Sequence, residues 1–331
     1  MAYPVSPTPY PGGTGPVANP AYTGVFIPTL WSGKLIEKFY DATVLAAIAN
    51  TDYAGEIKNQ GDTVVIRTKP TLTINDYLAD QDIDIERPSS PSIDLLIDKG
   101  KYFAAIVDDV METQADVNLM GMWADDASEQ MKIAIDSDVL GNIAAGIITN
   151  YPNGAAGNSG NQGATAGKIS GNIDLGEAAA PVTVVARGAT AGQVEIIDAI
   201  LRLGQVLDEA NIPEQGRWMT IPAWMAAMIK RSELRDASLT GDGTTMLRNG
   251  RLGMIDRFTL YASNLLPYTL GDLATTVFAG HSHGLTFASQ LTKMETIRAE
   301  RTFGTIMRGL QVYGYKVTDG TALASLYCTP G

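Results

Sequence analysis

Two histidines that stand two positions apart are the residues of this sequence with the most suggestive chemistry. Both lie in the run His281-Ser282-His283-Gly284, and the chain contains no other histidine. In an extended strand, His281 and His283 would project to the same side, as two metal ligands do. Because the sequence indicates no third ligand nearby, a polar loop that precedes a strand is the simpler interpretation.

Three further motifs lack the partners that catalysis or ion binding requires. Ser282 stands between the histidines but lacks the Gly-x-Ser-x-Gly turn of a serine hydrolase. Cys328 has no activating group close in sequence. The acidic run Asp80–Glu86 lacks the spacing and the central glycine of a calcium-binding loop. We therefore expect a protein that is not an enzyme and that holds no cofactor and no metal.

The composition is that of a folded protein with a sizeable core. The chain has 331 residues, of which 45% are hydrophobic and 18% are charged. No stretch approaches the roughly 18 apolar residues of a membrane helix, so no membrane span is expected. The start Met1-Ala2-Tyr3-Pro4 has neither basic residues nor an apolar segment, so no signal peptide is expected. A single cysteine excludes internal disulfides and fits synthesis in a reducing cytoplasm.

The net charge of −12 argues against a protein that grips nucleic acid. Acidic residues number 36 and basic residues 24, and no run of five or more Lys and Arg occurs. Proteins that neutralise phosphates are normally basic or carry a basic patch. An acidic surface suits a protein that encloses DNA without adhering to it, but it equally suits an ordinary soluble protein.

The first 30 residues predict an extended arm. Six prolines precede Phe26, and a segment so rich in proline forms no helix and has little to bury. Because exposed aromatic side chains are unfavourable in water, Tyr10, Tyr22 and Phe26 are predicted to anchor the arm on a neighbouring subunit. A terminus without any role is the alternative. Apolar residues at helical spacing then predict an N-terminal helix within residues 31–55.

Residues 56–106 predict a long two-stranded hairpin with a charged tip. Val64 and Ile66 alternate with their neighbours, and Ile93 and Leu95 do the same further on. Two strands alone are marginally stable in water, so the hairpin is expected to pack against another subunit. The residues predicted to form charge pairs there are Arg67 and Lys69 on the first strand, and Asp82, Glu86 and Arg87 at the tip.

The rest of the chain predicts a long helix followed by a mixed region. Within residues 108–146, apolar residues recur at three- and four-residue steps, and Asp136 is assigned to the opposite, polar face. Residues 150–180 predict a glycine-rich surface insertion without phosphate-loop spacing. An amphipathic helix over Ile196–Ala210 follows, and residues 291–331 are predicted to be rich in strands.

The order of these elements resembles the Hong Kong-97-type capsid family of tailed phages. Phrases that add to the likeness are Arg217-Trp-Met-Thr-Ile-Pro222, Gly253-Met-Ile-Asp-Arg-Phe258 and His283-Gly-Leu-Thr-Phe-Ala288. The resemblance implies an α+β fold in which residues 107–190 form a peripheral domain with a spine helix and the glycine-rich insertion. It also implies an axial domain at residues 191–290 and C-terminal strands, residues 291–331, that complete the peripheral domain.

This resemblance implies a structural subunit that assembles into the icosahedral head of a tailed double-stranded DNA phage. Hexamers and pentamers would form the shell in the host cytoplasm, with a portal protein at one vertex. A separate scaffolding protein is expected because the arm begins at once, without an acidic helical segment before it. A decoration protein and a crosslink through Lys58 or Lys69 are left open. The alternatives are an encapsulin-like cellular compartment and an acidic enzyme with an unrecognised site.

Overall fold

A computed structural model describes eleven segments of the chain. They are residues 40–41, 43–52, 63–67, 72–76, 82, 85–88, 92–114, 118–149, 160–232, 253–269 and 273–331. All of them belong to the unit Phe39–Gly331. The predicted arm, with Tyr10, Tyr22 and Phe26, lies outside the described residues, and so does Lys69.

The larger sheet of the described residues has seven strands and is mixed. Its strands are β4 (Val182–Val185), β5 (Gln193–Glu195), β6 (Arg217–Ile221), β7 (Met254–Ile255), β8 (Phe258–Ala262), β9 (Thr275–His281) and β12 (Leu323–Pro330). Across the sheet they follow the order β5-β4-β12-β9-β6-β8-β7. Two helices, α4 (Ile196–Glu209) and α5 (Ala223–Arg231), share a core with this sheet. The predicted amphipathic helix is confirmed, because α4 buries Ile200, Leu203 and Leu207 on one stripe.

The smaller sheet carries a long helix on one face. It consists of β3 (Lys99–Asp108), β10 (Leu285–Arg298) and β11 (Gly304–Val317), with β11 in the centre. The helix α3 (Leu119–Thr149) follows a short helix, α2 (Asp109–Gln114). Tyr313 and Tyr315 of β11 both reach Asp138 of α3, so alternate residues of β11 face the helix. We call this side the inner face and the opposite side the outer face.

The predicted pairing of the hairpin strands is confirmed. Strands β1 (Thr63–Arg67) and β2 (Ser92–Leu96) are antiparallel, with Val64 opposite Leu95. The expectation that the hairpin lacks support within its own subunit is wrong at its base. Leu95 is buried there in a small cluster with Ala288 of β10. A side chain at Gly314 would place its Cβ only 2.2 Å from the carbonyl oxygen of Leu96, so glycine permits this close approach.

Two predicted domain boundaries need correction. Residues 99–106 were assigned to the hairpin, but β3 pairs along its length with β11 of the smaller sheet. Residues 291–331 were predicted to complete the peripheral domain, but β12 lies inside the larger sheet between β4 and β9. The physical reason is burial: Leu323–Leu326 is buried at every position, which a strand in the interior of a covered sheet requires.

The predicted helix at residues 31–55 is much shorter where the structure describes it. Within residues 40–41 and 43–52, only α1 (Leu45–Ile48) is helical. The chain then leaves the helix because Asn50 pairs with β10. Its N–H donates to the carbonyl of Leu285 at 2.7 Å, and its carbonyl accepts from the N–H of Phe287 at 2.9 Å.

The base of the hairpin provides a test of this packing. We expect Gly314→Ala to lower the free energy of unfolding by about 1–3 kcal/mol, because the added methyl group overlaps the backbone of Leu96. The matched control is Gly141→Ala in α3, where an added Cβ meets nothing within 4 Å. Urea denaturation of unassembled subunits measures both. Equal stability of the two variants would contradict the close approach of the hairpin.

Candidate assembly surface

A buried carboxylate fixes the segment that precedes the hairpin onto α3. Asp136 was predicted on the polar face of the helix, but it is buried. Its Oδ2 accepts the N–H of Val44 at 2.6 Å, and the N–H of Leu45 is also bonded to it. Burial raises the pKa of Asp136, and these two hydrogen bonds oppose the shift. Asp136 therefore serves as an external N-terminal cap for α1.

We call residues 43–52 the strap, because they join α3 to the edge of the smaller sheet. Val44 and Ile48 are buried in a core that includes residues of α3 and of both sheets. The bonds of Asn50 then attach the strap to the edge strand β10. Just before the strap, the hydroxyl of Tyr40 donates to Asp126 of α3 at 2.8 Å. The sequence predicted a helix here but not the anchor at Asp136, because a cap supplied by a distant helix leaves no local pattern in the sequence.

A second polar group clamps α3 to the inner face. The Nζ of Lys99 lies 2.9 Å from Oδ2 of Asp138 and donates to the hydroxyl of Tyr315 at 2.7 Å. The hydroxyl of Tyr313 donates to Asp138 at 3.0 Å. Burial acts to raise the pKa of Asp138, but the hydrogen bonds from Lys99 and Tyr313 outweigh it, so this pKa lies below its usual value. Asp138 therefore stays ionised and holds β3, β11 and α3 together.

The predicted charged residues of the hairpin that the structure describes are exposed. Arg67 ends β1, and Asp82, Glu86 and Arg87 lie on described parts of the tip. Glu86 is held within the hairpin, since the N–H and the hydroxyl of Thr73 donate to its carboxylate at 3.1 and 2.8 Å. These bonds lower the pKa of Glu86. Glu86 therefore already has partners in its own subunit, which weakens its predicted role as an intersubunit charge.

Sequence reasoning missed the exposed apolar residues of the hairpin. Ile74 is 90% exposed and Ile85 is 84% exposed. The bonded pair Thr73 and Glu86 places these two isoleucines on adjoining parts of the two hairpin arms. In the sequence, each is an isoleucine within a polar stretch. Periodicity alone does not show whether such an isoleucine is exposed or belongs to a buried strand face. The hairpin thus presents apolar side chains as well as charges.

The outer face of the smaller sheet is also partly apolar. Directly paired residues of an antiparallel sheet share a face. Ile106 pairs with Ile306, and Tyr102 pairs with Leu310, on the side away from α3. Tyr102 is 80% exposed, and Ile106 and Leu310 are also exposed. Among the described residues, the hairpin base covers this face near Val312 and Gly314 and leaves Tyr102 and Ile106 exposed in the distal part.

Charged pairs interrupt this apolar area. Arg308 pairs with Glu295 across β10 and β11, and Lys293 lies 3.0 Å from the same carboxylate. Arg298 shares the inner face with Thr305 by register, and it pairs with Asp109 at the end of the sheet. Hydrogen bonds from Lys293 and Arg308 lower the pKa of Glu295. The mixture of apolar and paired charged residues is typical of a surface that is soluble alone and can be buried by a partner.

The histidines and the cysteine belong neither to the hairpin nor to the outer face of the smaller sheet. His281 ends β9, and its Nδ1 accepts the N–H of His283 at 3.1 Å in a 3₁₀ turn that leads into β10. Cys328 is buried in β12, where burial raises the pKa of its thiol to about 12. Within the described segments, no group of three His, Cys, Asp or Glu residues could hold a metal ion. None of the described helices has the length and apolar character to cross a membrane.

Two of the phrases that resembled capsid proteins meet at one ion-pair cluster. The side chain of Arg217 is buried and donates to the carbonyls of Ile212 and Pro213 at 2.6 and 2.9 Å. Arg217 and Arg257 both pair with Asp208 at the end of α4. This cluster joins the turn between β7 and β8 to the end of α4 and the start of β6. Within this cluster, Nε and Nη2 of the buried Arg217 have partners, whereas its buried Nη1 has none among the described residues.

The strap anchor predicts a measurable change in backbone protection. We expect Asp136→Leu to accelerate amide hydrogen exchange at Val44 and Leu45, because both N–H groups lose their acceptor. The matched variant Asp136→Asn retains an acceptor oxygen and should preserve most of the protection. Exchange measured by mass spectrometry on unassembled subunits separates the two. Protection that is unchanged in Asp136→Leu would show that the carboxylate does not hold the strap.

Comparison with known proteins places these features in a family. A family model described as phage capsid protein matches residues 92–326, which is well over half of the chain. No curated protein matches the sequence significantly. A solved chain of Mycobacterium phage Che8 is 25% identical, with a TM-score of 0.69, and the match covers 92% of this chain and 98% of that one.

More distant solved structures share the fold. The capsid of cyanophage P-SCSP1u is 15% identical, with a TM-score of 0.66, over 93% of this chain and 94% of that one. The mature capsid of bacteriophage PhiM1 is 14% identical, with a TM-score of 0.66, over 92% of both chains. The predicted α+β class is confirmed, and the arrangement is consistent with the Hong Kong-97-type fold. The chain therefore belongs to the phage capsid protein family and is a structural subunit of the multimeric capsid shell of a phage virion.

Proposed function

We propose that this chain builds an icosahedral head of hexamers and pentamers, in which the hairpin of one copy lies on the outer face of its neighbour. The observation that carries the proposal is a matched pair of uncovered apolar surfaces. The hairpin exposes Ile74 and Ile85, and the outer face exposes Tyr102, Ile106 and Leu310. Contiguous exposed apolar residues on a soluble subunit mark a site of association.

The base of the hairpin supports a contact between copies. Its own subunit already holds Leu95 against Ala288, at the proximal end of the outer face. The distal part, around Tyr102 and Ile106, is exposed among the described residues and is the area we assign to another copy. A hairpin that reaches from one copy to the next makes a head-to-tail contact, and such contacts close into rings. Rings of six and five subunits are the units that we propose for the shell.

Apolar burial is proposed as the main source of binding energy in this contact. Full burial of an isoleucine side chain contributes about 1.5–3 kcal/mol. An exposed ion pair contributes only about 0–1 kcal/mol. The charges predicted at the contact, among them Arg67, Lys69, Asp82 and Arg87, would then lie at its rim and select the register. The aromatic residues of the arm remain predicted anchors on a neighbouring copy.

The proposal includes further partners of a tailed phage head. A separate scaffolding protein would guide assembly in the host cytoplasm, and a portal protein would occupy one vertex. Double-stranded DNA would be enclosed without sequence-specific contacts. The net charge of −12 supports this last point, because an acidic shell does not neutralise phosphates.

A pair of matched substitutions tests the hairpin contact. We expect Ile85→Asp to leave the subunit folded but to reduce the yield of closed shells at least tenfold, because it places a charge in the proposed apolar contact. The control is Ile169→Asp, since Ile169 is 81% exposed and lies in a different part of the chain. Far-UV circular dichroism reports folding, and sedimentation with electron microscopy reports shells.

The outcomes separate the proposal from general effects of charge. Reduced assembly in Ile85→Asp with normal assembly in Ile169→Asp supports the contact. Normal shells from Ile85→Asp would overturn it. Equal loss of shells in both variants would mean that added negative charge alone prevents assembly, and the specific role of the hairpin would then be rejected.

A further inference from the structure

In the part of the chain that the structure describes, no strand pairs with the outer edge of β3 in the smaller sheet. The strand order is β10-β11-β3, and in the described segments β3 pairs with β11 alone. The other edge strand, β10, is partly covered because Asn50 of the strap bonds to its first residues. Every second residue of an edge strand turns its N–H and C=O away from the sheet. The ten-residue strand β3 therefore offers a row of backbone donors and acceptors to another strand.

This edge lacks most of the devices that protect free strands in soluble proteins. Such devices include proline, a bulge, a short strand or charges along the strand. The pairing of β3 with β11 has continuous register from Lys99 to Asp108, without a bulge. The central run Tyr102–Val107 contains no charge and no proline. Tyr102 is largely exposed, and Ala104 and Ile106 are exposed as well.

We propose that β3 pairs antiparallel with β3 of a second copy across a two-fold axis, which joins two small sheets into one of six strands. This pairing adds to the shell assembly proposed above and depends on it. The ends of β3 indicate the partner. Lys99 and Lys101 stand at the start, and Asp108 ends the strand. Antiparallel pairing brings the basic end of one copy near the acidic end of the other, whereas parallel pairing would bring like charges together.

The two faces of the sheet restrict the register. A two-fold axis perpendicular to the sheet keeps the outer faces of both copies on one side, so each residue must oppose one of the same face. Centring the pair on Ala104 fulfils this condition and places two small residues at the axis. Tyr102 of one copy then opposes Ile106 of the other, twice. An aromatic residue opposite a β-branched one is a favourable cross-strand pair, and the exposed outer face becomes continuous.

Cysteine crosslinking tests this register directly. The natural Cys328 is buried, so Ala104→Cys introduces one accessible thiol. Directly opposed residues have Cβ atoms about 4.5–5.5 Å apart, close to the distance that a disulfide spans. We expect mild oxidation of assembled shells to convert most of the Ala104→Cys protein to a disulfide-linked dimer on a non-reducing gel. The controls are Ala105→Cys, on the opposite face of β3, and Ile169→Cys, which is exposed elsewhere.

Each outcome decides the proposal. A dimer from Ala104→Cys that greatly exceeds the dimer from both controls supports it. A dimer mainly from Ala105→Cys overturns the register, and equal dimer in all three variants overturns specific pairing. Shells that form normally but crosslink in none of the variants reject the β3 contact while leaving the proposed function intact.

A second measurement uses the unchanged protein, in case Ala104→Cys fails to assemble. Amide hydrogen exchange within Tyr102–Ile106 should be at least tenfold slower in shells than in unassembled subunits, because the outward N–H groups gain acceptors. Equal exchange in the two states would overturn the pairing. Failure of the Ile85→Asp test, together with slowed exchange at β3, would reject only the hairpin contact.

Discussion

The C-terminal half of α3 makes the contact on which the described structure depends. This half of the helix shares one core with residues of both sheets, and it buries there Val139, Leu140, Ile143 and Ile147. The helix approaches β11 so closely that a Cβ at Gly146 would lie 2.5 Å from the side chain of Val317. Interiors pack densely, so this one helix fixes where the two sheets stand within the core they share. The buried strap residues Val44 and Ile48 complete that core.

This arrangement explains why the outer face of the smaller sheet is only partly covered by the described residues. One helix covers only the inner face of a three-stranded sheet, and no described helix covers the distal outer face. The hairpin base covers a part near Val312, and the strap covers the start of β10. The described residues leave uncovered the area around Tyr102 and the edge of β3. A monomeric enzyme would close such surfaces with its own chain, whereas a shell subunit can leave them to its neighbours.

Local patterns in the sequence were enough to predict several elements. The alternation around Val64 and Leu95 predicted the hairpin strands, and the stripe of α4 predicted its buried face. Long-range placement was not accessible in this way. The pairing of β12 with β4 and β9 depends on where other parts of the chain stand, and its position was wrongly predicted. The order of elements and the phrases at Arg217 and Phe258 led to the family. In the structure, those phrases lie at ion pairs and core positions of the larger sheet.

The candidate surface was predicted only in part, for reasons that differ from residue to residue. A carboxylate such as Asp136 looks like a surface residue until the N–H groups that it accepts are known. Glu86 was predicted at the hairpin tip, but its bonds to Thr73 were beyond sequence reasoning. Ile74 and Ile85 were overlooked because a search for charge pairs passes over apolar residues in a polar stretch.

The mixture of apolar and charged residues on these surfaces suits reversible assembly. A subunit that must remain soluble before assembly cannot expose one large apolar patch, and here Arg308, Glu295 and Lys293 divide the outer face. Each contact can then be weak, since a difference of about 1.4 kcal/mol already changes an equilibrium constant tenfold. In the proposed shell, a subunit would make its hairpin contact, receive one and share its other edges at the same time. Weak contacts that form together favour closed shells over partial ones, and misplaced subunits can still dissociate during growth.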